Sequence, residues 1–403
     1  MKHFHTIVVG LGAVGGAALH YLARSGHAVL GIDRHTPPHN LGSTHGETRI
    51  TRLAIGEGPE YTPLVVRSHQ LWRDVERETG KHLLNSCGFL AISNPGMRAV
   101  SHGVEDFYAN TLRAADEYGI AYTELDAAGI RSRFPQFAVR SHERAYYEHP
   151  SGPRHERQGG YLRVEECVGA QLALAVRHGA TLALGQAVDG FDTAPGGGVQ
   201  VSVGGERYVA EHLLITAGAW LPRLLGPDFG DLFRVTRQVM HWFEITSDPA
   251  RFTPGPFPCF IWELPSEMQD GKEVEKQPIY GFPDIGSKRV PAIKIAITTQ
   301  GGATVDPDDK DRMNVVEGET DAMYAGCVAP YLPEIGPKSL GTAACMYTEA
   351  PAGRFVIDAH PQLERVTFAS ACSGHGFKHS AAVGEALAQR LTAGVNRDDL
   401  SPF

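Results

Sequence analysis

An apolar run near the start of the chain is followed by a glycine-dense turn and then by a segment with helical periodicity. The run Ile-Val-Val within residues 4–10 is typical of a buried parallel strand. Residues 14–25 place their apolar positions on one face of a predicted helix, which Gly26 is expected to end as a C-cap. A second strand, residues 28–32, stops at Asp33. Together these segments predict one β-α-β unit.

The rest of the chain alternates between helical and strand patterns without a repeat or a low-complexity tract. Residues 37–62 are irregular and rich in Gly, Pro, His and Arg, which is typical of a loop that wraps a nucleotide site. Helices are predicted at about residues 63–78, 98–118, 159–180 (ended by Gly179) and 381–391. Strands are predicted at residues 88–93, 181–189, 199–203, 206–210 and 365–369, with a glycine turn at 196–198 and a strand–turn–helix over 212–225. Residues 234–300 alternate as β structure, apart from a polar stretch at 266–277 that is interpreted as an inserted loop.

This order of elements predicts an α/β protein with two interleaved domains. The expected nucleotide-binding domain is discontinuous and combines residues 1–85, 150–220 and 336–403. A mainly β domain, which we expect to bind the substrate, takes residues 86–149 and 221–335. A chain of 403 residues is long enough to form both.

Composition and charge narrow the class of partner. Hydrophobic residues make up 42% and charged residues 21% of the chain, as in ordinary water-soluble folds. The net charge is −9 and the 37 Lys and Arg residues are scattered, so no nucleic-acid surface is predicted. No apolar run reaches the roughly 18–20 residues of a transmembrane helix, and no signal peptide is expected. A small-molecule partner held in a pocket fits these features.

Cysteine usage indicates a reducing compartment. The six cysteines are far apart and form no C-x-x-C pair, so neither a disulfide framework nor a zinc site is indicated. We therefore expect a cytoplasmic protein with no metal, whose thiols are mostly free and buried. Each cysteine needs separate evidence before it is given a functional role.

The glycine-dense turn carries a dinucleotide-binding pattern. Gly10, Gly12 and Gly15 form G-x-G-x-x-G between the first strand and helix. They would allow the tight turn, the close approach of a pyrophosphate and close helix–strand packing, respectively. Asp33 ends the second strand, where an acid binds ribose hydroxyls and disfavours a phosphorylated ribose. This pattern predicts NAD or FAD and does not distinguish between them.

Several longer motifs occur in a characteristic order. They are HGETRITR (45–52), EGPEYTPL (57–64), TAGAW (216–220), YGFP (280–283) followed by a lysine at 294, CMYT (345–348) and GHGFK (374–378). In these motifs the chain resembles the monomeric sarcosine oxidase and N-methyl-L-tryptophan oxidase family over nearly its whole length. The resemblance implies a D-amino-acid-oxidase-like fold and an oxidase that uses covalently bound FAD and makes hydrogen peroxide.

The resemblance also implies how FAD would be held. Cys345 matches the cysteine that is linked to the flavin 8α-methyl group, and Cys372, which lies next to the S-G-H-G turn, is its one plausible rival. A positive environment should help to form the thiolate. Arg49 and His45 match residues that lie against the flavin. The remaining cofactor-binding expectations are Val14, Arg34, Ser43, Thr44, Gly374, His375, Gly376 and Lys378.

Two cations and two tyrosines are the implied substrate-binding residues. Arg52 and Lys378 match the pair that holds the substrate carboxylate, since a guanidinium can bind it bidentately and an ammonium adds a point charge. Tyr280 and Tyr347 match tyrosines of the pocket. Lys294, in VPAIKIAIT, matches a lysine that stabilises the charge developing on oxygen. We group it with Arg49 and His45 as expected catalytic residues.

The chain departs from the family around the substrate. Thr298 stands where sarcosine-oxidising members have a histidine, four residues after the oxygen-activating lysine. Ile261 stands in the aliphatic wall of the pocket, and the 266–277 stretch is longer and more charged than expected. These differences place sarcosine itself in doubt and indicate a different, larger side chain or ring.

The predicted reaction is the oxidation of a secondary α-amino acid, either N-methylated or cyclic, to an imine. Oxygen is the expected acceptor, and the protein is expected to act as a monomer. Three alternatives remain at this point: a D-amino-acid or glycine oxidase with FAD held non-covalently, an NAD-dependent dehydrogenase, and a non-catalytic dinucleotide-binding module that senses redox state.

Overall fold

A computed structural model describes residues 3–94, 106–152, 158–269, 272–274, 276–298 and 302–403, with the backbone alone at 267–269, 272–274 and 398. Part of the predicted 98–118 helix and most of the 266–277 stretch therefore lie outside the described side chains. Three sheets and a set of helices make up the described chain, with a separate two-stranded hairpin.

The helices and strands are numbered in chain order. The helices are α1 (Ala13–Arg24), α2 (Thr62–Thr79), α3 (Phe107–Glu117), α4 (Ala127–Arg133), α5 (Val164–Arg177), α6 (Leu221–Leu225), α7 (Glu319–Met323) and α8 (Ser380–Ala393). The strands are β1 (His3–Val9), β2 (Val29–Asp33), β3 (Thr48–Thr51), β4 (Leu84–Ser86), β5 (Phe89–Ser93), β6 (Tyr122–Asp126), β7 (Arg144–Glu148), β8 (Gly160–Arg163), β9 (Thr181–Leu184), β10 (Val188–Thr193), β11 (Val199–Val203), β12 (Glu206–Ile215), β13 (Arg234–Ile245), β14 (Cys259–Trp262), β15 (Glu267–Gln269), β16 (Lys272–Val274), β17 (Ile279–Phe282), β18 (Ala292–Ile297), β19 (Ile335–Glu349), β20 (Val356–His360) and β21 (Leu363–Ser370).

The first sheet surrounds the amino-terminal strand. Its main path is β10-β11-β12-β1-β2-β9, and β21 adds to β12 with β20 at its side. Strand β1 lies parallel to both β2 and β12, and β21 is parallel to β12. The carboxyl ends of these strands therefore meet at one edge, which is where α/β sheets bind ligands.

Small residues let the helices approach this sheet closely. Helix α1 presents Gly15, Gly16, Ala17 and Ala18, all buried. A side chain at Gly384 of α8 would lie 2.4 Å from the Cβ of Ala17, so the two helices pack almost backbone to backbone. The apolar cluster that joins α1, α2, α5 and α8 to the sheet forms the core beneath the dinucleotide motif.

The second sheet is mixed and lies in the mainly β part of the chain. Its order is β19-β13-β18-β17-β14-β5-β7-β6. Strand β13 pairs antiparallel with β19 along most of its length, with register shifts near Trp242 and Phe243. A cluster rich in aromatic residues, including Phe137, Phe257 and Trp262, packs one face of this sheet.

A small third sheet connects these two parts. Its order is β3-β8-β4, and β3 carries Arg49 in the loop region that the sequence predicted to be irregular. Residues 160–163 form strand β8, which corrects the predicted helix over 159–180, whose helical part begins at Val164. Helix α1 and strands β2 and β21 occupy their predicted places.

The long strand β19 bears on the predicted domain boundary at residue 336. It belongs to the second sheet through β13, although the sequence predicts that residues 336–349 are part of the nucleotide-binding domain. Counting β19 with its sheet partners moves that boundary to its end, near residue 350, and the two-domain division itself stays a prediction. Among the helices of the described chain, none is both long and apolar enough to cross a membrane.

Candidate active site

The glycine turn after β1 has the geometry that its spacing predicts. Gly10 has φ +89°, and a Cβ there would lie 2.6 Å from the carbonyl oxygen of Thr216. A Cβ at Gly15 would lie 1.9 Å from the carbonyl oxygen of Gly10. At Gly12 the nearest atom to an added Cβ is Thr44 Oγ1 at 3.4 Å. Two glycines thus allow the turn itself, and the third leaves a gap beside the start of α1.

The start of α1 is suited to a phosphate. Its N-cap, Gly12, provides no side-chain hydrogen bond, and its first turn contains no acidic residue. The free N–H groups and the positive end of the helix dipole favour an anion at this position. Asp33 lies nearby and accepts hydrogen bonds from the backbone N–H groups of Leu11 and His35, both at 2.8 Å. The donor set therefore fits a dinucleotide.

A cavity of about 460 Å³ extends from this turn towards the second sheet. Seventeen of the residues predicted from the sequence line it: Gly10, Gly12, Val14, Asp33, Arg34, Ser43, Thr44, Arg49, Arg52, Ile261, Tyr280, Thr298, Tyr347, Gly374, His375, Gly376 and Lys378. Four others, Gly15, His45, Lys294 and Cys345, do not reach its surface. The cavity thus joins the dinucleotide motif to the expected substrate residues in one continuous space.

A buried carboxylate lies between the two cations expected to bind the substrate. Glu57 Oε2 accepts a hydrogen bond of 2.5 Å from the Arg52 guanidinium, and its Oε1 accepts one of 3.2 Å from Lys378 Nζ. Lys378 also donates to the carbonyl oxygen of His375 at 2.7 Å. Burial lowers the pKa of Lys378 to about 8, Glu57 opposes this shift and Arg52 adds to it. Sequence reasoning missed Glu57, although an acid five residues after Arg52 was a signal.

Aromatic rings fix the guanidinium of Arg52. Its Cζ lies 4.9 Å from the ring centre of Phe89 and 5.2 Å from that of Phe107. The side chain is only 2% exposed, yet its Nε has no hydrogen-bond partner among the described residues. Arg52 is therefore a buried, oriented cation with donor capacity left over at the cavity.

A second carboxylate holds the segment that follows Arg52. Glu148 accepts hydrogen bonds from the backbone N–H groups of Leu53, at 2.9 Å, and Ala54, at 3.2 Å. The hydroxyl of Tyr146 donates to it at 3.0 Å. Burial raises the pKa of Glu148 to about 6, while these hydrogen bonds and Arg52 oppose the shift. No local signal in the sequence indicates this residue, since the two backbone N–H groups that it accepts from lie over ninety positions away.

Lys294 is a buried lysine just behind the cavity wall. Its Nζ donates to the carbonyl oxygens of Gly46 and Thr48, both at 2.7 Å. The same atom lies 4.0 Å from the ring centre of Phe282. Burial, followed by the positive charge of Arg49, lowers the pKa of Lys294 well below its ordinary value. The side chain thus extends from β18 to the loop that carries His45 and Arg49.

Arg49, on β3, is charged, whereas His45, just before β3, is neutral. Arg49 donates to the carbonyl oxygens of Thr48, at 2.9 Å, and Ser43, at 2.8 Å. Burial works against its charge, but the neighbouring Cys345 and Tyr280 raise its pKa above the ordinary value. Burial and Arg49 lower the pKa of His45 to about 4, so its imidazole is neutral. Its Nε2 is buried without a hydrogen-bond partner among the described residues.

The two candidate thiols are placed differently. Cys345 on β19 is 1% exposed and packs with Met240, Trp242 and Tyr347, whereas Cys372 lines the cavity. Burial raises the pKa of Cys345, while Arg49 and Lys294 oppose the rise. The positive charges expected near Cys345 are present, but their effect on its pKa is smaller than the effect of burial. Cys372 Sγ accepts a hydrogen bond from the backbone N–H of Thr348 at 3.4 Å.

The expected substrate pocket is bounded by two tyrosines and two smaller side chains. Tyr280 and Tyr347 are hydrogen-bonded to each other, and burial raises the pKa of Tyr280 to about 12. Ile261 on β14 and Thr298 after β18 also line the cavity. Thr298 is only 2% exposed, so a larger side chain there would take space from the cavity. Both phenols stay protonated at neutral pH and can donate or accept a hydrogen bond.

The turn before α8 also lines the cavity. Gly374 has φ +80°, and a Cβ at Gly376 would lie 1.7 Å from the carbonyl oxygen of Ala371. His375 Nε2 lies 2.9 Å from the carbonyl oxygen of Gly353. Arg34, on the dinucleotide side of the cavity, pairs with Asp308 at 2.8 Å, so the segment between β18 and β19 covers this side. Sequence reasoning did not predict Asp308.

Known proteins share both the sequence and the architecture of this chain. Residues 5–390 match the family described as FAD dependent oxidoreductase. Monomeric sarcosine oxidase of Streptomyces avermitilis is 35% identical over 401 residues, which cover 99% of this chain and 96% of that protein. N-methyl-L-tryptophan oxidase of Yersinia pestis is 31% identical over 402 residues, which cover 99% of this chain and 98% of that protein.

Two solved structures share the fold. NikD, described as an unusual amino acid oxidase essential for nikkomycin biosynthesis, has a TM-score of 0.80 at 21% identity, covering 100% of this chain and 97% of NikD. L-proline dehydrogenase from P. horikoshii has a TM-score of 0.75 at 18% identity, covering 98% of this chain and 95% of that chain. At such identities these likenesses describe the architecture alone.

Proposed function

Because this chain belongs to the FAD dependent oxidoreductase family, we propose that it is a flavin-dependent amine oxidase that oxidises a C–N bond of a secondary α-amino acid. Oxygen is the acceptor and hydrogen peroxide is the product. The full-length likeness to enzymes named for sarcosine and N-methyl-L-tryptophan supports this class of substrate. The family also favours FAD over the NAD alternative. The single observation that carries the proposal is the buried pair of cations, Arg52 and Lys378, at the end of a cavity that begins at the dinucleotide motif.

The residues at the glycine turn would hold the dinucleotide. The N-terminus of α1 and Gly12 would receive the pyrophosphate, and Asp33 would bind ribose hydroxyls. Ser43, Thr44 and the turn at Gly374 line the same cavity and would add polar contacts. When bound, FAD supplies a two-electron acceptor for the amine and a donor for oxygen.

Arg52 and Lys378 would bind the substrate carboxylate. Glu57 holds the two cations together before the substrate arrives, which keeps their charges compensated in a buried site. A substrate carboxylate would compete with Glu57 for the same donors. This arrangement selects an anionic group at one end of the substrate and leaves its amine towards the tyrosines.

The wall formed by Tyr280, Tyr347, Thr298 and Ile261 would select the rest of the substrate. The tyrosine hydroxyls can accept or donate a hydrogen bond, but they carry no charge near neutral pH. A neutral wall favours the amine in its unprotonated form, which is the form that can be oxidised. Thr298 replaces a titratable imidazole with a small hydroxyl, which we take to favour an N-methyl or cyclic amino acid larger than sarcosine.

Cys345 would form the covalent bond to the flavin 8α-methyl group. Its neighbours Arg49 and Lys294 are cations that lower the thiol pKa, and a thiolate is the reactive form. Cys372 lines the cavity and is the competing attachment point. His45 and Arg49 would complete the polar surroundings of the flavin.

Lys294 would act on oxygen. Its ammonium form is held by two carbonyl oxygens and lies beside the loop of Arg49. A preorganised cation at this position stabilises negative charge that develops on oxygen during its reduction. Since burial lowers the pKa of Lys294, this assistance should weaken as the pH rises.

A peroxide-coupled screen of the purified protein tests the proposed function. The panel contains sarcosine, N-methyl-L-tryptophan, other N-methyl amino acids, proline, pipecolate, glycine and D-amino acids. Turnover with secondary amino acids, and much less with primary amines, supports the proposal. Turnover confined to D-amino acids or glycine would favour the alternative oxidase, and no peroxide with any amine would reject both. We further propose that the enzyme is a cytoplasmic monomer.

A further inference from the structure

A cluster of potential metal ligands lies on strands β1 and β12 of the first sheet, outside the lining of the cavity. Among the residues that the structure describes, His5, Glu211 and His212 form the one group whose ligand atoms all lie within 4.8 Å of one another. Strand β1 runs from His3 to Val9 before the glycine turn, so His5 and Gly10 are separated by roughly 16 Å of extended chain. The cluster is therefore separate from the proposed oxidase site.

Strand pairing, rather than local sequence, brings these side chains together. Strands β1 and β12 are parallel, with Phe4 opposite Ala210 and Thr6 opposite His212, so His5 lies level with Glu211. The partners are more than two hundred residues apart along the chain. This distance explains why the sequence indicated no metal site, although it contains 19 histidines.

The ligand atoms of this cluster are available. Within the described part of the chain, the side chains of Glu211 and His212 make no hydrogen bond, and His5 uses only Nδ1, at 2.8 Å from Thr6 Oγ1. That contact leaves Nε2 of His5 free for a metal. Glu211 is exposed and both histidines are half-buried, so an ion could enter from solvent and keep water ligands.

A further imidazole lies against the cluster. The ring centre of His27, just before β2, lies 4.1 Å from that of His5. The ring centre of His212, on β12, lies 5.4 Å from that of His5. Two or three imidazoles with one carboxylate form a ligand set that suits borderline divalent transition metals and does not suit Ca²⁺ or Mg²⁺.

We propose that His5, His212 and Glu211 bind one divalent transition-metal ion, with Zn²⁺ as the representative, and that this ion joins β1 to β12. His27 is a candidate fourth ligand. A bound ion would stabilise the folded state by mass action, because an unfolded chain does not hold the three groups together. It would take no part in amine oxidation.

Zinc binding to the full-length holoenzyme tests the proposal. The protein carries no histidine tag and is freed of metal with a chelator, and titration calorimetry with ZnCl₂ is followed by metal analysis after dialysis. We expect one equivalent of zinc per chain. We also expect His212→Gln to lower the association constant by about 100-fold or more, since even changes to groups behind metal ligands cost 10–100-fold. His5→Gln should have the same effect.

The matched control is His82→Gln, which removes an exposed imidazole outside the cluster. It should leave zinc binding unchanged, and every variant should keep the visible absorption of its flavin as evidence of folding. In addition, zinc should raise the thermal midpoint of the wild type and of His82→Gln but not that of His212→Gln. Absence of zinc binding, or equal binding by His212→Gln and the wild type, would overturn the proposal.

Discussion

Lys378 and Glu57 form a buried ion pair, with 3.2 Å between Lys378 Nζ and Glu57 Oε1, although 321 positions separate them in the chain. Both side chains are almost fully excluded from solvent. Removing one partner of such a pair is strongly destabilising, because the remaining charge stays buried without compensation. The pair therefore sets the protonation state of a lysine that we assign to substrate binding.

Glu57→Gln should move the pH dependence of substrate capture. Burial lowers the pKa of Lys378 to about 8 and the charge of Glu57 raises it, so its removal should lower that pKa further. Lys378 binds a carboxylate only when protonated, so kcat/KM should fall at a lower pH than in the wild type. An opposite charge at this distance shifts a pKa by roughly one to three units.

The measurement is kcat/KM against pH, which reports the free enzyme. Glu60→Gln is the matched control, since Glu60 belongs to the same segment but is partly exposed. Its alkaline limb should coincide with that of the wild type. An unchanged alkaline limb in Glu57→Gln would show that Lys378 does not govern it.

Lys294→Met should slow the reaction of the reduced enzyme with oxygen and affect reduction by the amine much less. The loss of one preorganised charge-stabilising group typically costs about 10²–10³ in rate. Rapid mixing of reduced enzyme with oxygenated buffer measures this step directly. In the wild type the same rate should fall as pH rises, because burial lowers the pKa of Lys294 and the amine loses its proton early.

Lys288→Met is the control for that experiment. Lys288 lies 4.1 Å from the ring centre of Trp242 and pairs with Glu47, but it is partly exposed. Loss of the Lys288 ammonium should change the rate of flavin reoxidation by no more than a few-fold. If both variants reoxidise at the wild-type rate, the role assigned to Lys294 is wrong.

Cys345→Ser should release the flavin from the protein. After acid precipitation we expect the yellow colour in the supernatant for this variant and in the pellet for the wild type and Cys372→Ser. Peptide mapping then identifies the attached residue. If the Cys345→Ser pellet keeps the flavin and the Cys372→Ser pellet loses it, the flavin is attached to Cys372, the thiol that lines the cavity.

Glu148→Gln should weaken both stability and substrate binding. The amide keeps one acceptor oxygen and replaces the other by an NH2 group, which would face the backbone N–H of Leu53 or Ala54, and a buried donor without an acceptor costs about 1–3 kcal/mol. Because this segment follows Arg52, KM should rise more than kcat falls. Urea unfolding and steady-state kinetics measure the two effects.

Glu143→Gln is the control that distinguishes a loss of stability from an effect on substrate binding. Glu143 is also buried, but its two oxygens accept from Trp262 Nε1, in the aromatic core of the second sheet, and from the backbone N–H of Arg140, so an amide cannot satisfy both. This variant should lose stability without a comparable rise in KM. Equal changes of KM in both variants would argue against a specific positioning role for Glu148.

The sequence predicts best those elements whose signals lie within a short stretch of the chain. The β-α-β unit has an apolar strand, a glycine turn and an amphipathic helix in succession, and the structure has all three in place. The family comparisons confirm the predicted resemblance and the D-amino-acid-oxidase-like class. Most residues taken from the motifs line one cavity. The G-x-G-x-x-G and GHGFK motifs occur at turns that follow strands, whereas Tyr280 and Tyr347 lie within strands of the second sheet.

The missed features depend on distant partners. Strand β19 contains the run GPKSLGTAA, which has little apolar alternation, and it becomes a strand by pairing with β13. Residues 160–163 run directly into α5 and share its helical pattern, so β8 appears only through its pairing with β3 and β4. Glu57 and Glu148 are surface-type residues in the sequence, and their burial is understood only once Arg52 is placed.

The most direct test of the central claim is anaerobic mixing of the purified holoenzyme with a secondary α-amino acid while the visible flavin spectrum is recorded. The yellow colour should bleach with at least one N-methyl or cyclic amino acid and return on admission of oxygen, with one hydrogen peroxide formed per flavin. A flavin that no secondary amino acid bleaches, or a colourless purified protein, would contradict the assignment as a flavin-dependent amine oxidase.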